Sequence, residues 1–402
     1  MLDIAPSEDM DPRNADGTGA LLGVIDWLAG DECHATDEAG LLSGLGRRLC
    51  ALGVPIDRMT LHLMTLHPEL IGRSIAWAPG EPVEIYDREH GSRVATADTP
   101  LRKIMDTREP LLIVGPGESP HGRWQHLDVF ANRGLMQLMI APLCNADGPV
   151  GAAAFGTRRP GGFTAFDRQV IKRILPALRN ASELRILRQV ELSLLDTYIG
   201  PMTAQRILAG HIRQGEIESM EAALLLCDLR GFTELSNRLP GEAVLGLLNA
   251  YFDRIIPAIT REGGEVLKFM GDAVLAFFPG EAARACASGL SAAQAIVEEI
   301  DRFEHQGIGL KVGIALHYGQ VSYGNIGSGR RLDFTLIGAD VNLVSRIQSV
   351  CSELGEALLM SEPFMREVET GSAISAGLHS LKGFPEKFEL FSVVSNDPGS
   401  LD

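Results

Sequence analysis

Basic clusters, paired cysteines and long apolar runs are all missing from this chain of 402 residues. Asp and Glu number 52 against 36 Lys and Arg, giving a formal net charge of −16, and no block of Lys or Arg forms. That excludes the broad basic face on which nucleic-acid binding rests, and it disfavours an anionic membrane surface. Any phosphate handled by this protein must be met by a local cluster of cations. The six cysteines (Cys33, Cys50, Cys144, Cys227, Cys286 and Cys351) stand singly, without the spacing of a disulfide framework or a metal site, as in a reducing compartment. No apolar run reaches the roughly 18 residues needed to span a bilayer. The opening stretch MLDIAPSEDMDPRNADG is acidic and lacks the basic-then-apolar order of a signal peptide. The expectation is a soluble, cytoplasmic protein with neither nucleic acid nor membrane as partner.

The hydrophobic content of 45% and charged content of 22% are those of a globular chain, long enough here for two or three domains. Two stretches organise it: AALLLCDLRGFTELS (222–236) and GGEVLKFMGDAVLAFF (263–278). Each ends an apolar run on an Asp beside a glycine. Ala222 to Cys227 reads as a short buried strand, with Asp228 at its end and a helix opening across Leu229-Arg230-Gly231-Phe232-Thr233. A strand, a glycine turn and a helix start suit a phosphate, because backbone N–H groups and the helix dipole face it. In the second stretch Val266–Phe269 and Ala273–Phe278 read as a hairpin whose turn carries Asp272. Two carboxylates on adjacent strand ends suit Mg²⁺ or Mn²⁺, since hard cations take oxygen ligands. Either Asp alone reads equally well as a turn residue.

DLRGFTELS and KFMGDAVLAFF resemble the two metal-binding segments of the class III nucleotidyl cyclases, and the likeness runs from about 218 to 395. It implies that Asp228, Asp272 and the backbone carbonyl of Leu229 hold two Mg²⁺ or Mn²⁺ ions per active site. It places Gly231, Phe232 and Thr233 against the substrate phosphates. Lys268 matches the base-reading Lys of adenylate cyclases, where guanylate cyclases usually carry Glu. In RLDFTLIGADVNLVSRIQ (331–348), Thr335 takes the second base-reading position, and a hydroxyl there accepts from an exocyclic amine. Asn342 and Arg346, at i and i+4 on one helix face after Asp340 as N-cap, match the pair that orients the ribose and stabilises charge on the α-phosphate. Lys382 in LKGFPEKFELFSV (381–393) is the implied β/γ-phosphate contact, and Gly324-Asn325-Ile326-Gly327 is expected as a structural turn. Family geometry draws the metal carboxylates from one catalytic domain and the remaining residues from the other. A chain with one such domain is therefore expected to act on ATP as a homodimer with two shared sites.

The alternation after 221 predicts a βαββαβ-like, ferredoxin-like core, with separate strands at 310–317 and 319–326 and a helix over 340–354. Ahead of it, the order helix, strands, helix, hairpin, helix between 39 and 175 resembles a GAF domain, a small-molecule sensor fold, as does the stretch GPVGAAAFGTRRPGGFTAFDRQVI. The resemblance implies either an unidentified small-molecule ligand or, as in GAF domains that only dimerise, none; His62, His67, Trp77, His121, Trp124 and His126 are residues that would line a pocket. Leu184, Leu187, Val190, Leu194 and Tyr198 recur at helical spacing, as in a parallel coiled-coil seam or an amphipathic helix packed on its own domain. Gly200-Pro201 then makes 200–220 a joint. The expected α+β organisation is a disordered 1–19, a GAF-like domain at 20–182, a helical linker at 183–217, the cyclase domain at 218–395 and a tail at 396–402. The expected activity is adenylate cyclase, with a guanylate cyclase or a catalytically silent regulatory module as alternatives.

Overall fold

The computed structural model describes residues 14–65, 70–90, 99–114, 118–119, 122–123, 132–146, 148–368 and 373–393. His67, His121, Trp124, His126 and both chain ends lie outside these. The chain divides into two compact units, residues 1–194 and 195–402.

In the first unit, helix α1 (Asn14–Ala29) begins earlier than expected, so residues 14–19 are helical. Helix α2 (Glu38–Ala51) follows, capped by the Asp37 carboxylate, which accepts from the Gly40 N–H at 2.7 Å. Six antiparallel strands are β1 (Arg58–Met64), β2 (Leu70–Trp77), β3 (Glu84–Glu89), β4 (Leu111–Val114), β5 (Gln137–Cys144) and β6 (Pro149–Thr157). They lie in the order β3-β2-β1-β6-β5-β4. Helix α3 (Pro100–Thr107) packs Ile104 against Leu138 and Ile140 on one sheet face, and α1 and α2 cover the other with Leu28, Leu42 and Leu45. Helix α4 (Ala165–Ile199) starts at a reciprocal cap: Asp167 accepts from the Thr164 N–H at 2.7 Å, and its own N–H donates back to Thr164 Oγ1 at 3.2 Å. Pro176 lies inside it without ending it. Along α4, Leu187, Leu194 and Tyr198 are exposed, the last at 78%.

The two pocket residues that can be placed are separated. His62 pairs with Ser74 across β1 and β2, whereas Trp77 pairs with Met59, on the opposite face, in the main core. His62 Nδ1 lies 2.9 Å from Ser74 Oγ, and desolvation with the Arg88 charge pushes its pKa down to about 3, so it is neutral. One cavity of this unit, beside Leu63, Gly72 and Ser193, holds about 40 Å³. That is room for a water rather than an organic ligand.

The second unit begins in the last turn of α4 (195–199), then has α5 (Pro201–Leu208), β7 (Ile217–Leu229), α6 (Phe232–Arg238), α7 (Gly241–Arg261), β8 (Glu265–Met270), β9 (Ala273–Pro279) and α8 (Ala282–Asp301). Then come β10 (Val312–Ser328), β11 (Arg331–Ile337), α9 (Ala339–Leu354), β12 (Leu358–Ser361), α10 (Glu362–Glu367), β13 (Ala373–Ser380) and β14 (Lys387–Val393). The sheet order β8-β9-β7-β10-β12-β14-β13 contains the expected βαββαβ arrangement, with β11 paired to β10. The run Ala222–Cys227 is continuously apolar because both faces are covered. Ala223, Leu225 and Cys227 face α7 and α8, while Ala222, Leu224 and Leu226 face α9. By length and composition α7 could cross a membrane. Here its Leu247, Tyr251, Ile255 and Ile259 belong to the sheet's core.

Two expectations fail. The strands expected at 310–317 and 319–326 are one strand of 17 residues, and Gly324–Gly327 lies within it instead of turning. Gly319 is extended, and its missing side chain matters for approach: a Cβ there would stand 2.2 Å from Asp340 Oδ2. Asp340 is likewise not the N-cap of α9. Gly338 holds that position without a side-chain cap, and the Asp340 carboxylate accepts from the Gln320 N–H at 2.7 Å.

Candidate active site

The antiparallel register sets Val274 opposite Cys227 and so carries Asp272 to the end of β7. There the Leu229 N–H donates to Asp272 Oδ2 at 3.2 Å, and Asp228 sits one residue earlier on the same strand. Burial pushes the Asp228 carboxyl above its ordinary range; the Gln348 amide and Arg230 oppose the shift and Asp272 adds to it. Asp272 is raised by burial too, against the N–H groups of Asp272 and Leu229. The fold thus holds two carboxylates close together where their charge is disfavoured. A divalent cation offsets that cost. Among the described residues no group of three or more His, Cys, Asp or Glu side chains gathers. The protein offers two carboxylates and leaves other coordination to water and phosphate, the pattern Mg²⁺ prefers. The donor set fits.

Gly231 is in the left-handed region at φ 70° and caps α6, leaving Phe232 and Thr233 in its first turn, directly after the Asp228–Leu229 strand end. Lys268 lies on β8, next to a cleft of about 830 Å³ lined by Tyr198, Gly200, Ile212, Glu265, Phe269 and Asp333 among others. Its Nζ is 2.9 Å from Asp333 Oδ2. Thr335, two residues along the same face of β11, is buried at 5% exposure and paired in register with Gly324. The structure therefore gives Lys268 an acidic partner that the sequence reading did not name. Lys382 is exposed in the turn between β13 and β14.

Helix α9 presents Asn342 exposed and Arg346 half-exposed. At 100° per residue they lie roughly 40° apart around the helix. Gln348, 5% exposed, lies roughly 160° around from Arg346. It is Gln348 that reaches the carboxylates: its Nε2 donates to Asp228 Oδ1 at 2.6 Å. The sequence signal was available, because Val344, Ile347, Gln348 and Cys351 form the buried stripe of α9 and Gln348 is its polar member. The helix thus turns Asn342 and Arg346 away from the Asp228 of their own chain.

Residues 216–366 match the family described as adenylate and guanylate cyclase catalytic domain. An adenylate cyclase of Anabaena cylindrica is 30% identical over 196 residues, 46% of this chain and 38% of that protein. The photoactivated adenylate cyclase subunit beta of Euglena longa is 30% identical over 42% of this chain and 20% of its own length. The chain thus spans well under half of these curated relatives. Among solved structures, the adenylyl cyclase CyaB of P. aeruginosa is 30% identical, covering 46% of this chain and 98% of that one, with a TM-score of 0.42. The guanylyl cyclase Cya2 is also 30% identical, covering 46% and 97%, with a TM-score of 0.38. The second unit of this chain belongs to the class III adenylate and guanylate cyclase catalytic domains.

Proposed function

We propose that the chain is a cytoplasmic adenylate cyclase that converts ATP to cyclic AMP and pyrophosphate as a homodimer, under control of a GAF-like first unit. The observation that carries this reading is the meeting of Asp228 and Asp272 at adjoining strand ends, with Lys268 on the same hairpin as Asp272. Two Mg²⁺ or Mn²⁺ ions held by Asp228, Asp272 and the Leu229 carbonyl would acidify the ribose 3′-hydroxyl and neutralise the triphosphate. The N–H groups around Gly231, Phe232 and Thr233 meet the phosphates, and Lys382 binds the β/γ end. Lys268 donates to the adenine ring, and Thr335 accepts from its amine. Asn342 orients the ribose, while Arg346 stabilises charge growing on the α-phosphate.

The angular separation on α9 supports a shared site. Arg346 faces away from the residue that holds its own Asp228, so it serves the carboxylates of a second copy. The sheet order of the first unit supports the GAF-like reading, and the exposed Leu187, Leu194 and Tyr198 suit a seam between copies. Guanylate cyclase is the second reading, favoured by Asp333 beside Lys268, because a carboxylate accepts from guanine N–H groups. The deciding assay is purified protein with Mn²⁺ and ATP or GTP, analysed for cyclic nucleotide. Product from neither substrate would leave a silent regulatory module. Faster turnover of GTP would reverse the base assignment.

A further inference from the structure

The end of β7 and the buried side of α9 are joined by a side-chain network that includes none of the residues assigned to substrate. Gln348 Nε2 donates to Asp228 Oδ1 at 2.6 Å and to the Gly313 carbonyl at 2.9 Å. Both partners are acceptors, which fixes the orientation of the amide. Its Oε1 is buried without a hydrogen-bond partner among the described residues. An unmet buried acceptor is costly, so the amide is held for its donor end. Arg230 closes the network from the other side. Its Nη2 donates to the Cys351 carbonyl at 2.8 Å and the Glu356 carbonyl at 2.5 Å. The guanidinium lies flat over Gly313, where a Cβ would come within 2.4 Å of Nη2. Strand end, Gly313 and helix are thereby clamped into one body around a single carboxylate oxygen.

We propose that Gln348 is a positioning residue for the divalent cation: it fixes the rotation of the Asp228 carboxylate and ties it to the helix that carries Asn342 and Arg346. The inference rests on the cyclase reading of Asp228. A carboxylate held by a buried amide enters coordination with its rotational freedom already spent. Hydrogen-bond partners behind metal ligands are typically worth about 10–100-fold in metal affinity or activity. A side chain that only fills space would contribute to folding and leave cation affinity alone.

The test is Mn²⁺ binding to the full chain with a non-cyclisable ATP analogue, read from the electron paramagnetic resonance of free Mn²⁺. Wild type, Asp228→Ala and Gln348→Met are compared, the last nearly isosteric but without a donor. We expect Gln348→Met to weaken Mn²⁺ binding by about 10-fold or more. Its KM for ATP at saturating Mn²⁺ and its ATP-to-GTP ratio should stay at wild-type values. If Gln348→Met does not fold, Gln348→Asn keeps the amide but withdraws it by one methylene, and the same weakening is expected. Wild-type Mn²⁺ affinity in a folded Gln348 variant overturns the positioning role and leaves the cyclase reading intact. A wild type that binds Mn²⁺ no better than Asp228→Ala overturns both.

Discussion

Mixing two inactive variants tests the shared site quantitatively. On the proposed reading Asp228→Ala removes a cation ligand and Arg346→Ala a phosphate contact, so each homodimer should be inactive. In a heterodimer one site carries both lesions and the other carries neither. The structure supplies the reason: Gln348 reaches Asp228 at 2.6 Å, and Arg346 points roughly 160° away around α9. On the shared-site reading it therefore serves the carboxylates of a second copy. At an equal mixture with free exchange, about half the dimers are heterodimers with one working site of two, so activity should return to about a quarter of wild type. Changing the ratio should trace a parabola with its maximum at equality. The assay is cyclic AMP formation across the titration, with exchange verified by pull-down between differently tagged chains. Verified exchange with activity at background would refute the shared site.

Asp272→Ala should abolish turnover with Mg²⁺ while thermal unfolding stays close to wild type, and near-normal turnover would remove it from the cation site. Lys268→Glu with Thr335→Ser should shift preference from ATP toward GTP; an unchanged ratio of kcat/KM values would refute the assignment. Asp333→Asn alone should leave Tm nearly unchanged, since an ion pair exposed at 31% and 62% is worth only about 0–1 kcal/mol. Its effect should appear in the ATP-to-GTP ratio, and no change there would remove Asp333 from base reading. The Asp340 carboxyl is held below its ordinary value of 3.8, chiefly by His317, whose Nε2 is 3.2 Å from Oδ1. Its stabilising contribution is therefore full above pH 3.8 and disappears as the pH falls through the depressed value. The Tm gap between wild type and Asp340→Asn should close on acidification, and a gap that widens would contradict the sign.

The two acid-bearing segments were legible because their signal is double: an apolar run long enough for a strand buried on both faces, stopped by an acid that has no place in it. Asp228 and Asp272 stand where that reading put them, and the hairpin between them differs only at its ends. The run 312–328 was misread as two strands. Gly319 lies inside it and lets Asp340 approach, a contact 21 residues away that local pattern does not carry. Asp333 and Gln348 escaped for a related reason. Each looks ordinary until the fold brings Lys268 or Asp228 to it from another element. Seen again, Gln348 within the apolar stripe of α9 was the clue. His62 and Trp77 were grouped by residue type, and alternation along the strands then put them on opposite faces.

The free thiols give the chain an uneven chemistry that an experimenter can use. In the second unit Cys227, Cys286 and Cys351 are all buried. Desolvation pushes Cys227 and Cys286 up to about 12 and Cys351 up to about 11, so none offers a thiolate near neutrality. Cys50 is exposed on α2 and Cys144 is half-exposed at the end of β5, both in the first unit. A maleimide probe applied to the native protein will therefore mark the first unit and pass over the second. A spin or fluorescent label can be read from the first unit while the second unit, whose three cysteines are buried, stays chemically untouched.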